Sequence, residues 1–463
     1  MKVSNFDLIP KEGKAFVYGL GKESINVARE IKNKRRDITV KGFIKDEMSN
    51  SKTILRSMIK NAIIPEFNNV KLWKNIEDLQ DYDFIVIPYC CSLRAVQKMS
   101  KRNIYKYLLF DNKKEVTRKQ MINANKNIKS YFLERDLGKK YYFEKSRSIR
   151  TFISTRCNAK CVFCAASSSV DAKFNMGIEL FENVVRQFLQ CNGCEISLSP
   201  NIGDPLVDKG FCEKVELAKN MGIKSIKMST NGILLANEKI RQATLRFVSK
   251  MNISLPSFQP KEYSEIFGVE KGEQVAEGLL KLLQEKEQIN SKVIVTLGLR
   301  LARPLNEVMS DEEMSPFLKY VKTGMLRLNP LIEMDNWSGT ISDANMIGIM
   351  YQRKEENLIK DVPCTRIMKQ PAVLPDGMIR LCACRYYRSN YDDLIVGDIN
   401  EEPLKNIIFG KRHKEIIKNW IGGDLPVPCR QCTLYEPYLI AGWASKYRKI
   451  IGKTTGRIFH YFS

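Results

Sequence analysis

Histidine is almost missing from this chain: of its 463 residues only His413 and His460 are histidines, and both lie toward the C-terminus. Inventory alone therefore excludes a His-rich metal site. Also missing is any run of about 18 consecutive apolar residues, so nothing is expected to span a bilayer. The opening MKVSNFDLIPKEGK has no apolar core of the kind a signal peptide needs, which argues against secretion and for a cytoplasmic location. Internal repeats and low-complexity tracts are absent. A content of 44% hydrophobic and 27% charged residues excludes a disordered chain. Acidic residues are in deficit, 52 against 75 Lys and Arg, for a formal charge of +23. That surplus suits an anionic partner (a nucleotide-linked substrate, a nucleic acid, an anionic membrane) or a lysine-rich bias spread over solvated faces. The densest basic runs are Lys32 to Arg36 and the tail from Lys446 to Arg457.

What the chain does have is cysteine, 13 in all. In a reducing compartment disulfides are not expected, and clustered cysteines point to metal ligation or catalysis. With imidazole ruled out, thiolate-only ligation remains, and soft thiolates select iron–sulfur clusters or zinc.

The length is enough for two or three domains. Residues 14–20, 38–44, 83–88 and 106–110 read as short apolar strands separated by helical stretches, a Rossmann-like α/β domain over residues 1–120. Gly19-x-Gly21 stands where a phosphate would meet a helix N-terminus, but Ser24 replaces the third glycine. Asp46 is the candidate acid after the second strand; a structural turn and a solvated loop are the plain alternatives. Residues 121–149 are highly charged and read as a helical linker. From Arg150 onward, strand, loop and helix alternate about six times to residue 340. That is too few for a closed eight-fold barrel, so a partial (β/α)6 TIM-type barrel is expected over 150–340. A small α+β domain over 341–440 and a basic tail over 441–463 complete the chain.

Directly after the first barrel strand comes Cys157-Asn-Ala-Lys-Cys161-Val-Phe163-Cys164. Three thiolates on one short loop can hold three irons of a four-iron cube and leave the fourth accessible, whereas electron carriers take four cysteines per cluster. A zinc loop is the alternative. The motif CxxxCxxC, with the aromatic Phe163 before its last cysteine, resembles the radical S-adenosylmethionine (radical SAM) superfamily. The resemblance implies a [4Fe-4S] cluster, S-adenosyl-L-methionine, an electron from a reducing flavodoxin or ferredoxin, and a 5′-deoxyadenosyl radical that abstracts hydrogen from substrate. It assigns cofactor contacts to Phe163, to Gly203 and Asp204 of the turn Ile202-Gly-Asp-Pro-Leu206, to Ser229 and Asn231, to Ser254, and to Arg300 facing the methionine carboxylate. The family's turn is Gly-Gly-Glu-Pro-like, so Ile202 and Asp204 depart from it.

The remaining group, Cys364, Cys382, Cys429 and Cys432, surrounds the turn Pro375-Asp376-Gly377 and resembles a twitch domain, a shortened SPASM auxiliary-cluster module. It implies a second [4Fe-4S] cluster, with Cys384 able to replace Cys382, since two residues along a strand return to one face; a structural zinc is the alternative. In layout the chain resembles the radical SAM dehydrogenases that oxidise 2-deoxy-scyllo-inosamine. The implied activity is net oxidation of a sugar, cyclitol or nucleotide-linked glycan, with Asp335 or Glu333 contacting a hydroxyl or acting as base. Epimerisation, with Cys384 as hydrogen donor, and deoxygenation are the close alternatives. Others are maturation of a ribosomal peptide, and a nucleic-acid-binding protein with a structural cluster. The tail permits peripheral contact with an anionic membrane.

Overall fold

A computed structural model describes residues 147–165, 175–200, 202–331, 333–334, 336–342, 349, 352–353, 360–383 and 393–438. Before these it describes 2–3, 13–18, 27–29, 31–33, 37–44, 71–73, 84–88, 107–110, 118–135, 139 and 142. The chain divides into two compact units, Met1–Glu115 with Leu301–Glu333 and Val116–Arg300 with Met334–Ser463. No described helix is long and apolar enough to cross a membrane.

The first unit is built on a six-stranded sheet of β1 (Lys2–Val3), β2 (Gly13–Tyr18), β3 (Ile38–Ile44), β4 (Lys71–Trp73), β5 (Phe84–Pro88) and β6 (Tyr107–Phe110). All its pairings are parallel, in the order β1-β6-β5-β2-β3-β4. Strands β2 to β6 thus follow the doubly wound pattern 3-2-1-4-5, with β1 added at one edge. Ala15, Phe16 and Val17 are buried in succession, as a strand covered on both faces requires. β1 and β4 carried no apolar signal strong enough to be anticipated. The Gly19-x-Gly21 turn, Ser24 and Asp46 lie outside the described residues. The sixth strand expected for the barrel forms as β12 (Leu326–Pro330) and is grouped with this unit.

In the second unit the parallel strands β7 (Ser148–Thr151), β8 (Glu195–Ser197), β9 (Ser225–Thr230), β10 (Lys250–Leu255) and β11 (Ile294–Leu299) lie side by side in chain order. Ile149 faces Ile196, Ile196 faces Ile226, and Ile253 faces Leu297. Each strand returns to the next through a crossover that includes a helix: α2 (Ile178–Gln190), α3 (Phe211–Asn220), α4 (Glu238–Phe247), and the pair α5 (Pro260–Phe267) and α6 (Gly272–Gln288). In α2, Phe181, Val184, Val185 and Phe188 recur at helical spacing and are all buried. At about 1.5–3 kcal/mol per side chain, that face is what fixes the helix to the sheet. This is the parallel partial-barrel sheet anticipated from the strand–helix alternation.

Beyond it, β13 (Glu333–Met334) and β14 (Gln352–Arg353) are short, and the same sheet continues through a C-terminal hairpin. β15 (Ala372–Val373) pairs parallel with β7, then antiparallel with β16 (Met378–Arg380), which pairs with β17 (Ile395–Asp398). The expected turn joins β15 to β16: Gly377, at φ +101°, donates its N–H to the Leu374 carbonyl at 3.0 Å. Ala372, Leu374 and Ala383 of the hairpin region pack with Phe152 after β7 in one buried cluster.

Residues 121–149, which read as a helical linker, are partly buried where they are described. Their helix α1 (Arg118–Ile128) buries Met121, Ala124 and Ile128, and Phe132 stacks on Phe409 at 5.4 Å. The stretch Leu404 to Trp420, which reads as one helix, is broken into Leu404–Ile407 and Lys411–Ile421. The break is at Phe409, held at φ +53° so that its ring lies between Phe132 and His413 (4.2 Å) and its N–H donates to His413 Nδ1.

Candidate metal centres

Cys157, Cys161 and Cys164 sit on the loop that leaves β7, and α5 sets the loop's height. The N–H groups of Lys160 and Val162 donate to the last carbonyls of that helix, Phe267 at 2.9 Å and Ile266 at 3.0 Å. Helix α5 ends on Gly268 at φ +65°, and a Cβ there would come within 2.5 Å of the Lys160 carbonyl oxygen. Glycine is needed for the left-handed cap and for the close approach of the loop. Phe163 is buried, edge-on to Phe267 at 5.6 Å, with the Arg300 guanidinium over its ring at 4.1 Å. Arg300, at the end of β11, also donates to Ser254 Oγ on β10 at 3.1 Å. Phe163, Ser254 and Arg300 thus form one contact chain from the loop across two strands.

The second set of anticipated residues meets the first cysteine. Gly203, at φ +100°, has no room for a Cβ against the Ser154 and Thr155 backbone. Asp204 is buried; its carboxylate accepts from Leu206 N–H (2.9 Å), Asn231 N–H (2.7 Å) and Thr230 Oγ1, at 3.0 and 2.9 Å to its two oxygens. Burial pushes its carboxyl above the usual range while these donors pull it back. Asn231 in turn donates to Asn158 Oδ1 at 2.8 Å and reaches Cys157 Sγ at 3.7 Å. Asp204 therefore ties a turn to a strand end. Ser229 lies half-buried beside Ser199, their hydroxyls 3.3 Å apart.

Cys157 is exposed and Cys161 and Cys164 are half-buried; no disulfide joins any described cysteine. Partial desolvation, then the Asp204 charge, pushes the Cys157 thiol up to about 11. The Cys161 thiol is also pushed well up, by burial first and by Cys164 and Cys157 next. Among the described residues no three His, Cys, Asp or Glu side chains converge as they would round a single ion. The three thiols are nonetheless near enough for each to bear on the next.

Cys364, Cys382, Cys429 and Cys432 are all buried. The segment before Cys364 is laced to the segment after Cys429. Buried Lys360 donates from Nζ to the Cys429 and Arg430 carbonyls at 3.0 and 2.6 Å, and the Tyr435 hydroxyl donates to the Val362 carbonyl at 2.8 Å. Thr365 N–H donates to the Glu436 carbonyl at 2.7 Å. Cys382 follows β16, its carbonyl accepting from Arg380. Cys384 and Asp335 lie outside the described residues, as does the side chain of Glu333; so does the tail beyond residue 438. His413, the one histidine described, is buried and its pKa is pushed down to about 3 by that burial, so it is neutral and apart from both cysteine groups in the chain.

Residues 151–301 match the family model of the Radical SAM superfamily, and residues 364–433 that of SPASM, an iron–sulfur cluster-binding domain. A protein of Methanococcus vannielii named "Probable GTP 3′,8-cyclase" is 32% identical over 285 residues, which are 56% of this chain and 92% of that protein. The chain belongs to the radical SAM superfamily. Another relative, the GTP 3′,8-cyclase of Alkaliphilus oremlandii, is 27% identical over 214 residues, 43% of this chain and 61% of the relative. Among solved structures, BtrN in complex with AdoMet and 2-DOIA has a TM-score of 0.39 at 15% identity, over 64% of this chain and 97% of BtrN. Streptococcus suis SuiB bound to precursor peptide SuiA has a TM-score of 0.44 at 13% identity, over 73% of this chain and 82% of SuiB.

This radical SAM enzyme thus carries an auxiliary-cluster domain, and its cofactors are a [4Fe-4S] cluster with S-adenosylmethionine and an additional iron–sulfur cluster. The donor set fits them: three thiols on one loop in the superfamily region and four buried thiols in the SPASM region. Sequence reading missed α5 as the loop's support and Gly268 as its cap. The signal was there in Pro260 opening a short amphipathic helix that ends in Phe267-Gly268.

Proposed function

We propose that this radical SAM enzyme oxidises a sugar, cyclitol or nucleotide-linked glycan. In this reading Cys157, Cys161 and Cys164 hold the cluster that works with S-adenosylmethionine, and Cys364, Cys382, Cys429 and Cys432 hold an auxiliary four-iron cluster. When bound, the first cluster and S-adenosylmethionine would supply a hydrogen-abstracting radical, and the second, held by Cys364, Cys382, Cys429 and Cys432, would supply redox capacity rather than a substrate site. The observation that carries the reading is the burial of all four second-group cysteines, at 5, 3, 6 and 8% exposure, against the exposed Cys157. Four buried thiols would hold a cluster away from water, which suits electron exchange, and would leave no iron for a hydroxyl to bind.

The other assignments rest on residue placement. Arg300, steadied by Phe163 and Ser254, is assigned the methionine carboxylate, for which a planar guanidinium offers two parallel donors. Gly203 and Asn231 are assigned to cofactor contact, with Asp204 fixing both from behind. Asp335 or Glu333 is assigned the substrate hydroxyl. Support for a nucleotide-linked substrate comes from the doubly wound order of the first unit, in which such sheets bind nucleotides at the reversal between β2 and β5, and from the +23 charge. A second reading, radical cyclisation of a purine nucleotide, is favoured by the 32% identity to the Methanococcus vannielii relative named as a GTP cyclase.

Anaerobic reconstitution with iron and sulfide, followed by incubation with S-adenosylmethionine, a reductant and candidate substrates, tests both. The first reading expects two four-iron clusters per chain, substrate-dependent 5′-deoxyadenosine, and a product lighter by two hydrogens. Conversion of GTP to an isomer would move the assignment to the second reading. Bound zinc and no deoxyadenosine would overturn both.

A further inference from the structure

Tyr263, in α5, is fully buried at 0% exposure, and its hydroxyl has no hydrogen-bond partner among the described residues. A buried hydroxyl left unsatisfied costs about 1–3 kcal/mol, and phenylalanine would fill the same space without that cost. The ring is fixed on both sides. It stacks on Phe267 at 5.0 Å, and Gly272 lies so close that a Cβ there would meet the Tyr263 side chain at 3.2 Å.

The position of this hydroxyl is tied to the cysteine loop. Phe267, on which the tyrosine stacks, packs edge-on against Phe163 between Cys161 and Cys164. The same helix receives the loop's Lys160 and Val162 N–H groups. Burial raises the phenol's pKa first, and the charges of Cys161, Asp204 and Cys157 raise it further, which puts all three within electrostatic reach. Asp204 already accepts from Leu206, Thr230 and Asn231. The other two groups that bear on the phenol, Cys161 and Cys157, offer sulfur.

We infer that the Tyr263 hydroxyl donates a hydrogen bond to a sulfur, thiolate or sulfide, of the cluster held by Cys157, Cys161 and Cys164, and so raises that cluster's reduction potential. The inference rests on the assignment of those three cysteines. A donor to sulfur withdraws electron density and favours the reduced state, one of the means by which a protein sets a cluster's potential. It also gives a buried hydroxyl its purpose where an apolar ring would serve for packing alone.

The test uses the full-length reconstituted protein and follows the cluster whose EPR signal changes when S-adenosylmethionine is added. Tyr263→Phe is expected to keep iron and sulfide content, to shift that cluster to lower potential, and to lose one exchangeable deuteron coupling after transfer to D2O. Replacing Tyr263 by a fluorinated tyrosine, a stronger donor of nearly the same shape, is expected to shift the potential upward. That arm decides the matter even if the phenylalanine variant assembles poorly. An unchanged potential in the fluorinated protein, or a phenylalanine variant with the wild-type potential and deuteron coupling, would overturn the inference while leaving the cysteine assignment intact. A wild-type protein with no cluster responsive to S-adenosylmethionine would overturn the cysteine assignment, and this inference with it.

Discussion

Asp204 stands where the family resemblance leads one to expect a glutamate, and the shorter side chain has a definite job. Its carboxylate gathers the N–H groups of Leu206 and Asn231 and the Thr230 hydroxyl, so that Asn231 is held beside Cys157 and the turn that follows Gly203 is tied to the end of β9. Removing it leaves buried donors with no acceptor. Asp204→Ala is expected to cost about 1–3 kcal/mol for each donor so stranded, read from urea denaturation, and to weaken S-adenosylmethionine binding. An unchanged midpoint would show that water replaces the carboxylate at no cost. The sequence could mark Asp204 as part of the turn, but not that both its oxygens are occupied by the protein's own donors. Four residues on, the buried pair Asp208–Lys214, 2.5 Å apart, closes the same turn. Nothing in its spacing distinguished it from surface charges.

At the scale of the element, helix α5 is the support on which the cysteine loop rests. Two backbone hydrogen bonds and a glycine cap set the loop's distance from the helix, so a change in the cap is transmitted to the three cysteines. Gly268→Ala adds a methyl directed at the Lys160 carbonyl and places a side chain in left-handed backbone, which by itself costs about 1–2 kcal/mol. The expected result is a folded protein whose reconstituted first cluster binds substoichiometrically while the second is unaffected. Iron analysis with EPR would check it, and full occupancy of both clusters would show that the loop can retreat freely. Long elements such as α2, α6 and β11 were legible, because apolar residues at fixed periods must face a core. The single helix expected over 404–420 was not, because the break at Phe409 serves a ring stack with Phe132, a residue far away in sequence.

For the whole molecule, one continuous sheet leads to both cysteine groups: β7 runs into the first loop, and its parallel neighbour β15 leads through a hairpin to Cys382 of the second. Each group is nevertheless closed by its own segments, the first by α5 and the turn at 203–206, the second by the lacing of residues 360–365 with 429–438. Cys429→Ala with Cys432→Ala is therefore expected to halve the iron content and, on the proposed function, to abolish substrate turnover. Cleavage of S-adenosylmethionine without substrate should persist. Cys157→Ala should do the reverse, keeping the second cluster and losing all cleavage. Loss of both clusters in either variant would show that the sheet couples their folding.

What the sequence determined by itself was chemical identity and local period. It set a thiolate-only donor inventory, the CxxxCxxC loop with its aromatic, the second cysteine group, and the strand–helix alternation of two α/β regions. These are readable because ligand spacing on one loop and apolar spacing on one element are local properties of the chain. Tertiary structure alone decided which side chains surround those cysteines. Asp204 turns inward, Arg300 lies over Phe163, a charged stretch before residue 149 becomes core, and Tyr263 is buried with its hydroxyl unspent. Each depends on residues brought together from distant parts of the chain, and no period or spacing along the sequence encodes that meeting. The three cysteines could be found by counting, and what holds and tunes their loop appears only once α5 is folded beneath it.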